Sequence, residues 1–211
     1  HEQHSRFSAF IDALKGAGVT FNIHHCCNSA GTLELPDFHR EMIRPGIIQY
    51  GYDASKEVLV TGTKIKPVMS LRCCITHLKT IYEGDCVGYG RHFTATGPTK
   101  IATLPIGYAD GYNRALSSKI DVIVHGVRAH QVGNICMDQC MIDVSHIPDV
   151  KVGDEVVLFG EQGSECVSAD EIADTCHTII HEITCNINRR VPRIYVQNGK
   201  IVQRLEYLTQ S

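Results

Sequence analysis

The 211-residue sequence lacks a long hydrophobic run, an excess of basic residues and a leader pattern. A membrane-spanning helix needs about 18 or more consecutive apolar residues, and no segment approaches that length. Twenty Lys and Arg against 23 Asp and Glu give a formal charge of −3, which argues against nucleic acid as a partner. The first residues contain no initiator Met, no cationic segment and no apolar segment. We therefore expect a piece of a longer protein with neither a membrane nor a nucleic-acid partner.

The ten cysteines lack the spacing of a disulfide scaffold. Cys26-Cys27 and Cys73-Cys74 are adjacent pairs, whose members cannot bond to each other without severe distortion, and most of the others lie in apolar, strand-like runs. A chain of this length does not need cross-links, and Cys often serves as a small buried apolar residue. The sequence therefore predicts reduced thiols and a cytoplasmic location.

The sequence also lacks the paired Cys spacing of a structural zinc site. Residues 24–27, His-His-Cys-Cys, are of metal-ligand types, but alternate side chains of a strand point to opposite faces. Each face would then offer one His and one Cys, whereas a structural zinc site uses four ligands. We predict no metal site, and a buried strand end at residues 24–27.

The first 55 residues carry the alternation of helix and strand signals that is typical of α/β structure. Apolar residues at 7, 10, 11 and 14 predict a helix that ends at Gly16 and Gly18. Apolar runs at 19–23 and 42–48 predict two parallel strands. Because two strands complete neither a sheet nor a barrel, residues 1–55 are predicted to be part of a larger domain.

Beyond a polar segment at 53–66, predicted to be a linker, the pattern changes to short strands divided by turns. Ser168 and Glu171 form a capping-box pattern, which predicts one helix. Asn198-Gly199 between two apolar runs predicts a hairpin with a type I′ turn. The pattern indicates an all-β sandwich or barrel over residues 56–211, with strands at 67–77, 100–106, 121–124, 141–144 and 155–159.

Tyr89 is the first candidate for chemistry, because it lies between two glycines and two residues before Arg91. A nearby guanidinium favours phenolate, so such a Tyr could act as a general acid or base. The alternative is a structural Tyr on a glycine-rich strand edge, and local sequence leaves both open.

Two further patterns have both a functional and a structural interpretation. Residues 28–31 and 44–47 follow or end predicted parallel strands, where backbone N–H groups and a hydroxyl suit a phosphate. Residues 135–139 place a carboxylate and an amide among apolar residues, for which the alternative is a bulged strand.

Taken in order, these segments resemble those of alanine racemase, a bacterial family of pyridoxal-phosphate-dependent enzymes. The family combines an N-terminal (β/α)8 barrel with a β-rich C-terminal domain and works as a head-to-tail homodimer. The resemblance implies that residues 1–55 are the last part of the cofactor-binding barrel and that residues 56–211 are the β domain carrying the catalytic Tyr. The matching segments are 25–30, 42–47, 66–71, 88–91, 104–112, 133–139, 152–156 and 190–193.

The resemblance implies pyridoxal 5′-phosphate as the cofactor and assigns residues to it. Ser29, Gly46 and Ile47 are expected to contact its phosphate. Arg44 is expected to face the pyridine nitrogen, with His25 packed behind it. A guanidinium keeps its proton near neutral pH, so it can only donate to a neutral ring nitrogen, which favours racemisation over transamination.

The resemblance also implies residues for a small amino-acid substrate. Tyr89 is expected to exchange the α-proton on one face of the substrate, in the active site of the partner subunit. Met137 is expected to hold the substrate carboxylate through its backbone N–H, with Asp138 behind it. Tyr108 is expected to line a narrow entrance.

Two departures from the family pattern affect the expected function. The Lys that binds the cofactor covalently lies near the family's N-terminus, and none of the Lys residues here stands in its motif. His181 stands where the family has a Tyr that contacts the phosphate and walls the substrate pocket. Imidazole can still donate to phosphate, but it is smaller, so a larger or more polar amino acid such as serine is a possible substrate.

The sequence thus predicts two-base racemisation of L- and D-alanine, which supplies D-alanine for peptidoglycan, with the cofactor Lys missing from this chain. One alternative is a serine or broad-specificity racemase. Another is a β domain with a role in dimerisation and no chemistry of its own.

Overall fold

The computed structural model of the chain describes residues 1–53 and 65–208. It contains two compact units, His1–Val68 and Met69–Ser211. The domain boundary predicted at residue 55, and most of the linker predicted at 53–66, lie outside the described residues.

The first unit begins with helix α1 (Glu2–Gly16), which confirms the predicted helix. The helix ends where the Ala17 N–H donates to the carbonyls of Ala13 and Leu14. Helix α2 (Ser29–Glu34) is capped by Asn28, whose side chain accepts the Gly31 N–H at 3.1 Å.

The predicted strands at 19–23 and 42–48 do not form a continuous ladder. Among the described residues, a single parallel bridge joins Met42 to His25, which lies just beyond the first predicted run. The Arg44 N–H adds a bond of 2.8 Å to the carbonyl of Cys27. The chain then enters a 3₁₀ helix at Ile47–Tyr50.

The second unit is built on short antiparallel strands. They are β1 (Leu71–Cys74), β2 (His77–Ile81), β3 (Cys86–Val87), β4 (Phe93–Thr94), β5 (Thr99–Leu104), β6 (Asp121–Val124), β7 (Val127–Val132), β8 (Cys140–Asp143), β9 (Glu155–Gln162) and β10 (Glu165–Val167). Eight of them form one sheet with the order β1-β9-β6-β7-β8-β5-β2, in which β10 pairs with β9. A hairpin of β3 and β4 stands apart from this sheet.

The core of the second unit consists of side chains from the central strands. Val122, Ile123 and Val124 on β6 are all fully buried, so both faces of this strand are covered. Removing this aliphatic surface from water is the main stabilising term for such a sheet. The other fully buried large side chains include Ile101, Leu104, Ile142, Leu158 and Phe159.

Two helices and a second hairpin follow the sheet. Ser168 caps α3 (Ala169–Thr175) by accepting the Glu171 N–H at 3.0 Å, as the capping-box pattern predicts. Helix α4 (Ile180–Asn186) has no side-chain cap. Strands β11 (Arg193–Gln197) and β12 (Lys200–Leu205) form the predicted hairpin. Asn198 (φ 51°) and Gly199 (φ 73°) both adopt the positive φ that a type I′ turn needs.

None of the helices in the described part of the chain is both long enough and apolar enough to span a bilayer.

Candidate functional site

In the first unit, Ser29 and Gly46 meet at the start of two short helical segments. Ser29 is buried at the beginning of α2, and its Oγ accepts the Gly46 N–H at 2.9 Å. Ile47, the next residue, is buried and begins the 3₁₀ helix. Within residues 1–53 and 65–208, the Ile47 N–H donates to no protein group. A hydroxyl and a free backbone N–H therefore lie side by side.

Gly46 adds no side chain beside these groups. A Cβ atom at this position would lie 3.5 Å from Ser29 Oγ, at ordinary van der Waals distance. The residues present fit a phosphate, since the Ser29 hydroxyl and the Ile47 N–H can donate to its oxygens.

Arg44 is fixed beside this group by the strand remnant. Its Nη2 donates to the carbonyl of Cys26 at 2.6 Å, and its backbone N–H is bonded to Cys27. His25 lies on the same remnant, in the bridge to Met42. The geometry brings Ser29, Arg44, Gly46, Ile47 and His25 together in one unit.

The 24–27 segment departs from the alternating geometry expected of a strand. Cys26 and Cys27 both direct their sulfurs to the carbonyl of Phe38, and the two sulfurs are 3.8 Å apart. His24 instead pairs with Glu41 at 3.0 Å. No group of three or more metal-ligating side chains occurs among the residues that the structure describes.

In the second unit, Tyr89 is presented to solvent on a constrained turn between β3 and β4. Its side chain is 79% exposed. Gly88 and Gly90 adopt φ values of 72° and 78°, which an L-residue rarely tolerates. Asn134 Nδ2 donates to the Tyr89 carbonyl at 2.8 Å. The backbone is thus held while the phenol remains free to meet another molecule.

Met137 and Tyr108 lie on adjacent turns of the same unit. The Tyr108 N–H donates to the carbonyl of Cys136, and the Ala109 N–H to that of Met137, each at 3.0 Å. The Cys136 N–H closes its own turn on the Gln139 carbonyl at 2.9 Å. In the described part of the chain, no protein group accepts the Met137 N–H, so it is available to an added carboxylate.

Arg190 and Asp110 also belong to this region, and no local pattern in the sequence marks either of them as functional. Arg190 Nη2 pairs with Asp138 at 2.6 Å, and its Nε with Asp110 at 3.3 Å. The hydrogen bond to Asp138 and the charge of Asp110 raise the pKa of the Arg190 guanidinium. The available signal in the sequence is that both residues lie in segments that carry the family resemblance, 104–112 and 190–193.

A cleft with a volume of about 470 Å³ opens beside Tyr108. It is lined by Tyr108, Gly111, Asn113, Arg114 and Asn186, which present both polar and apolar surface. A space of this size suits a small molecule.

His181 lies in the first turn of α4 and is exposed. Its carbonyl accepts the Thr184 hydroxyl at 3.1 Å. Its contact with a cofactor phosphate remains a prediction.

The two units correspond to the two domains of one protein family. The sequence-family model of the alanine racemase N-terminal domain matches residues 1–54, and the family model of the alanine racemase C-terminal domain matches residues 68–195. The second match covers more than half of the chain, and the chain belongs to the alanine racemase family. This confirms the resemblance and the fold class predicted from the sequence.

Named relatives agree with this assignment. Alanine racemase 1 of Clostridium acetobutylicum is 45% identical over 208 residues, which are 99% of this chain and 54% of the relative. Alanine racemase of Clostridium tetani is 46% identical over 207 residues, with coverage of 98% and 54%. The chain therefore spans about half the length of the curated relatives it matches.

Solved structures match over the same extent. Alanine racemase of Clostridium difficile 630, in complex with cycloserine, has a TM-score of 0.91 and 42% identity, covering 98% of this chain and 54% of that one. Alanine racemase of Bacillus anthracis with bound L-Ala-P has a TM-score of 0.92 and 38% identity, covering 98% and 53%.

Proposed function

We propose that this chain forms the C-terminal half of a pyridoxal-phosphate-dependent alanine racemase, which interconverts L- and D-alanine in the cytoplasm and so supplies D-alanine for peptidoglycan. The observation that carries the proposal is Tyr89, a phenol that is 79% exposed on a turn held by two positive-φ glycines and Asn134. Membership of the alanine racemase family supports the reaction and the substrate class.

The cofactor would be held by residues of the first unit. Ser29 Oγ and the backbone N–H of Ile47 would donate to the phosphate beside Gly46, whose N–H supports Ser29 Oγ, and Arg44 would donate to the ring nitrogen. When bound, pyridoxal phosphate stabilises negative charge at the α-carbon of an amino acid. The Lys that attaches it covalently is proposed to lie outside this chain.

Tyr89 would move the proton on one face of the substrate, and the cofactor Lys would act on the other. In the proposed homodimer, Tyr89 serves the active site of the partner subunit. A phenol so exposed on its own chain supports this arrangement, since a group that reacts within its own unit is normally enclosed.

The substrate is proposed to bind through its carboxylate to the Met137 N–H. The free state of this N–H supports the assignment. Tyr108, held by its own N–H on the carbonyl of Cys136, would limit the size of amino acid that enters.

The test is proton exchange by the complete, cofactor-loaded protein in D₂O. We expect L- and D-alanine each to lose the α-proton NMR signal as deuterium enters. Replacing Tyr89 by Phe should slow exchange from one enantiomer by at least about 100-fold, the usual contribution of a positioned acid or base. Tyr82→Phe is the matched control, because Tyr82 is also an exposed tyrosine at a strand end of this unit. Equal exchange from both enantiomers in Tyr89→Phe would overturn the proposal.

A second candidate is a racemase for serine or for several small amino acids. His181 favours it, because imidazole occupies less space than the phenol expected at this position. The ratio of kcat/KM for serine and alanine distinguishes the two candidates.

A β domain without chemistry is the remaining alternative. It predicts that the complete protein exchanges no α-proton yet still forms a dimer in sedimentation experiments. Cofactor-dependent exchange from either enantiomer excludes this alternative.

A further inference from the structure

We propose that Arg190 is a positioning residue that holds the substrate-carboxylate turn against the entrance segment; the inference rests on the proposed function. The substrate-carboxylate turn is defined as residues 135–139, and the entrance segment as residues 107–110.

The entrance segment is fixed by Asp110. Its side chain is only 10% exposed, and its Oδ2 accepts the Gly107 N–H at 2.9 Å. The Asp110 carbonyl accepts the Asn188 N–H at 2.9 Å, which ties the segment to the chain just before Arg190. Asp110 therefore has a defined position whether or not Arg190 is present.

The substrate-carboxylate turn is held by backbone bonds from Tyr108 and Ala109, and the side chains at its tip are exposed. The Ile135 N–H donates to Ser117 Oγ at 3.0 Å, which secures the first residue. The tip, Met137 and Asp138, is exposed. Its one side-chain bond among the described residues is the 2.6 Å contact of Asp138 with Arg190.

Arg190 joins these two elements through one rigid group. A guanidinium presents its Nε and Nη2 donors at a fixed angle, and here they bind Asp110 and Asp138. A single exposed ion pair contributes little, but a partly buried carboxylate such as Asp110 gives the cation a fixed anchor. Arg190 therefore adds a side-chain tie at Asp138 to the backbone bond that the Ala109 N–H makes to the Met137 carbonyl, and the orientation of the Met137 N–H depends on both.

The effect on catalysis should fall on substrate binding. The Met137 N–H would bind the substrate carboxylate in the ground state and in the transition state alike. Loss of this hydrogen bond should therefore raise KM more than it lowers kcat. A purely structural role would instead lower the amount of folded enzyme and leave the KM of the remainder unchanged.

The test uses the complete, cofactor-loaded protein and the variants R190Q, R190K and D138N. We expect R190Q and D138N each to raise the KM for alanine about tenfold, the size expected for one charge-assisted hydrogen bond, with kcat changed less than about threefold. The KM for alanine of the double variant R190Q/D138N should be no higher than that of either single variant, because both substitutions remove the same contact. R190K should recover part of the loss, since an ammonium can pair with one carboxylate but not bridge two in a fixed geometry.

R189Q is the matched control, because Arg189 is the neighbouring exposed arginine and lies over the Tyr207 ring instead, 5.5 Å from its centroid. It should leave KM unchanged. Amide hydrogen exchange gives an independent readout: the Tyr108 and Ala109 N–H groups should exchange faster in R190Q than in R189Q. If wild-type protein racemises alanine and R190Q keeps its KM and exchange rates, this inference is wrong while the proposed function stands. If wild-type protein lacks racemase activity, the proposed function itself fails.

Discussion

Gly107 lies directly against the backbone of Cys136, so that a Cβ atom on Gly107 would come within 2.2 Å of the Cys136 carbonyl oxygen. Its φ of −150° is open to any residue, so glycine is required here by contact and not by conformation. This close approach brings the Tyr108 turn against the Met137 turn. The spacing of the candidate substrate-binding groups therefore depends on one missing methyl group.

Replacing Gly107 by Ala should destabilise the second unit by about 3 kcal/mol, at the upper end of the cost of overpacking, because the obstacle is backbone and cannot rotate away. Urea unfolding followed by circular dichroism measures the change. Gly97→Ala is the control, since a Cβ atom there meets nothing within 4 Å, and it should change the free energy of unfolding by less than about 0.5 kcal/mol. Equal stability of the two variants would contradict the packing argument.

Replacing His181 by Tyr should shift the substrate preference of the complete enzyme toward alanine. A phenol fills more space beside the substrate side chain than imidazole does, so the kcat/KM for serine should fall relative to that for alanine by about tenfold, the value of a modest change of shape in a pocket. Steady-state assays with both amino acids measure the ratio. An unchanged ratio would show that His181 does not face the substrate. The control is His177→Tyr, because His177 is another exposed histidine of this region.

Glu41 should make the first unit sensitive to acid. The backbone N–H of His24 bonds the carboxylate at 2.9 Å and its ring nitrogen at 3.0 Å, and these hydrogen bonds lower the pKa of Glu41 from 4.5 to about 2. Because the folded pKa lies below the unfolded one, this stabilisation is present above pH 4.5 and is lost as the pH falls toward 2.

Carboxyl NMR titration should therefore place the Glu41 midpoint near pH 2. In unfolding experiments, wild-type stability should fall more steeply between pH 4.5 and pH 2 than that of Glu41→Gln. Glu34→Gln, at the exposed end of α2, should keep the wild-type slope. A Glu41 midpoint near its unfolded value would refute the prediction.

Local signals in the sequence were sufficient for the features whose determinants lie within a few residues. The cap of α3 needs only Ser168 and Glu171, three positions apart, and the hairpin turn needs only Asn198 and Gly199. Helix α4 was not predicted, because its N-cap residue, Ile179, offers no side-chain cap.

Features built from distant parts of the chain were harder to predict from the sequence. The strands predicted at 19–23 and 42–48 require partners on both sides to form a ladder, and the described residues supply one bridge. The contact of Arg190 with Asp138 joins residues 52 positions apart, so neither periodicity nor spacing indicates it. Local pattern indicated Tyr89 and the segment around Ser29, and the resemblance gave these residues and Met137 their roles, whereas the groups that hold them in place became visible only in the fold.

The adjacent thiols Cys73 and Cys74 should differ sharply in reactivity. They alternate along β1, so that Cys74 is exposed while burial raises the pKa of Cys73 to about 12. At pH 8 a thiol with such a pKa is ionised to about one part in 10,000, and only the thiolate reacts. Timed alkylation with iodoacetamide and peptide mass spectrometry should show Cys74 modified first and Cys73 only after unfolding in urea. Similar rates at both positions in the native protein would mean that β1 does not pack against the sheet as described, since the two residues share the same backbone environment and differ only in the face on which they lie.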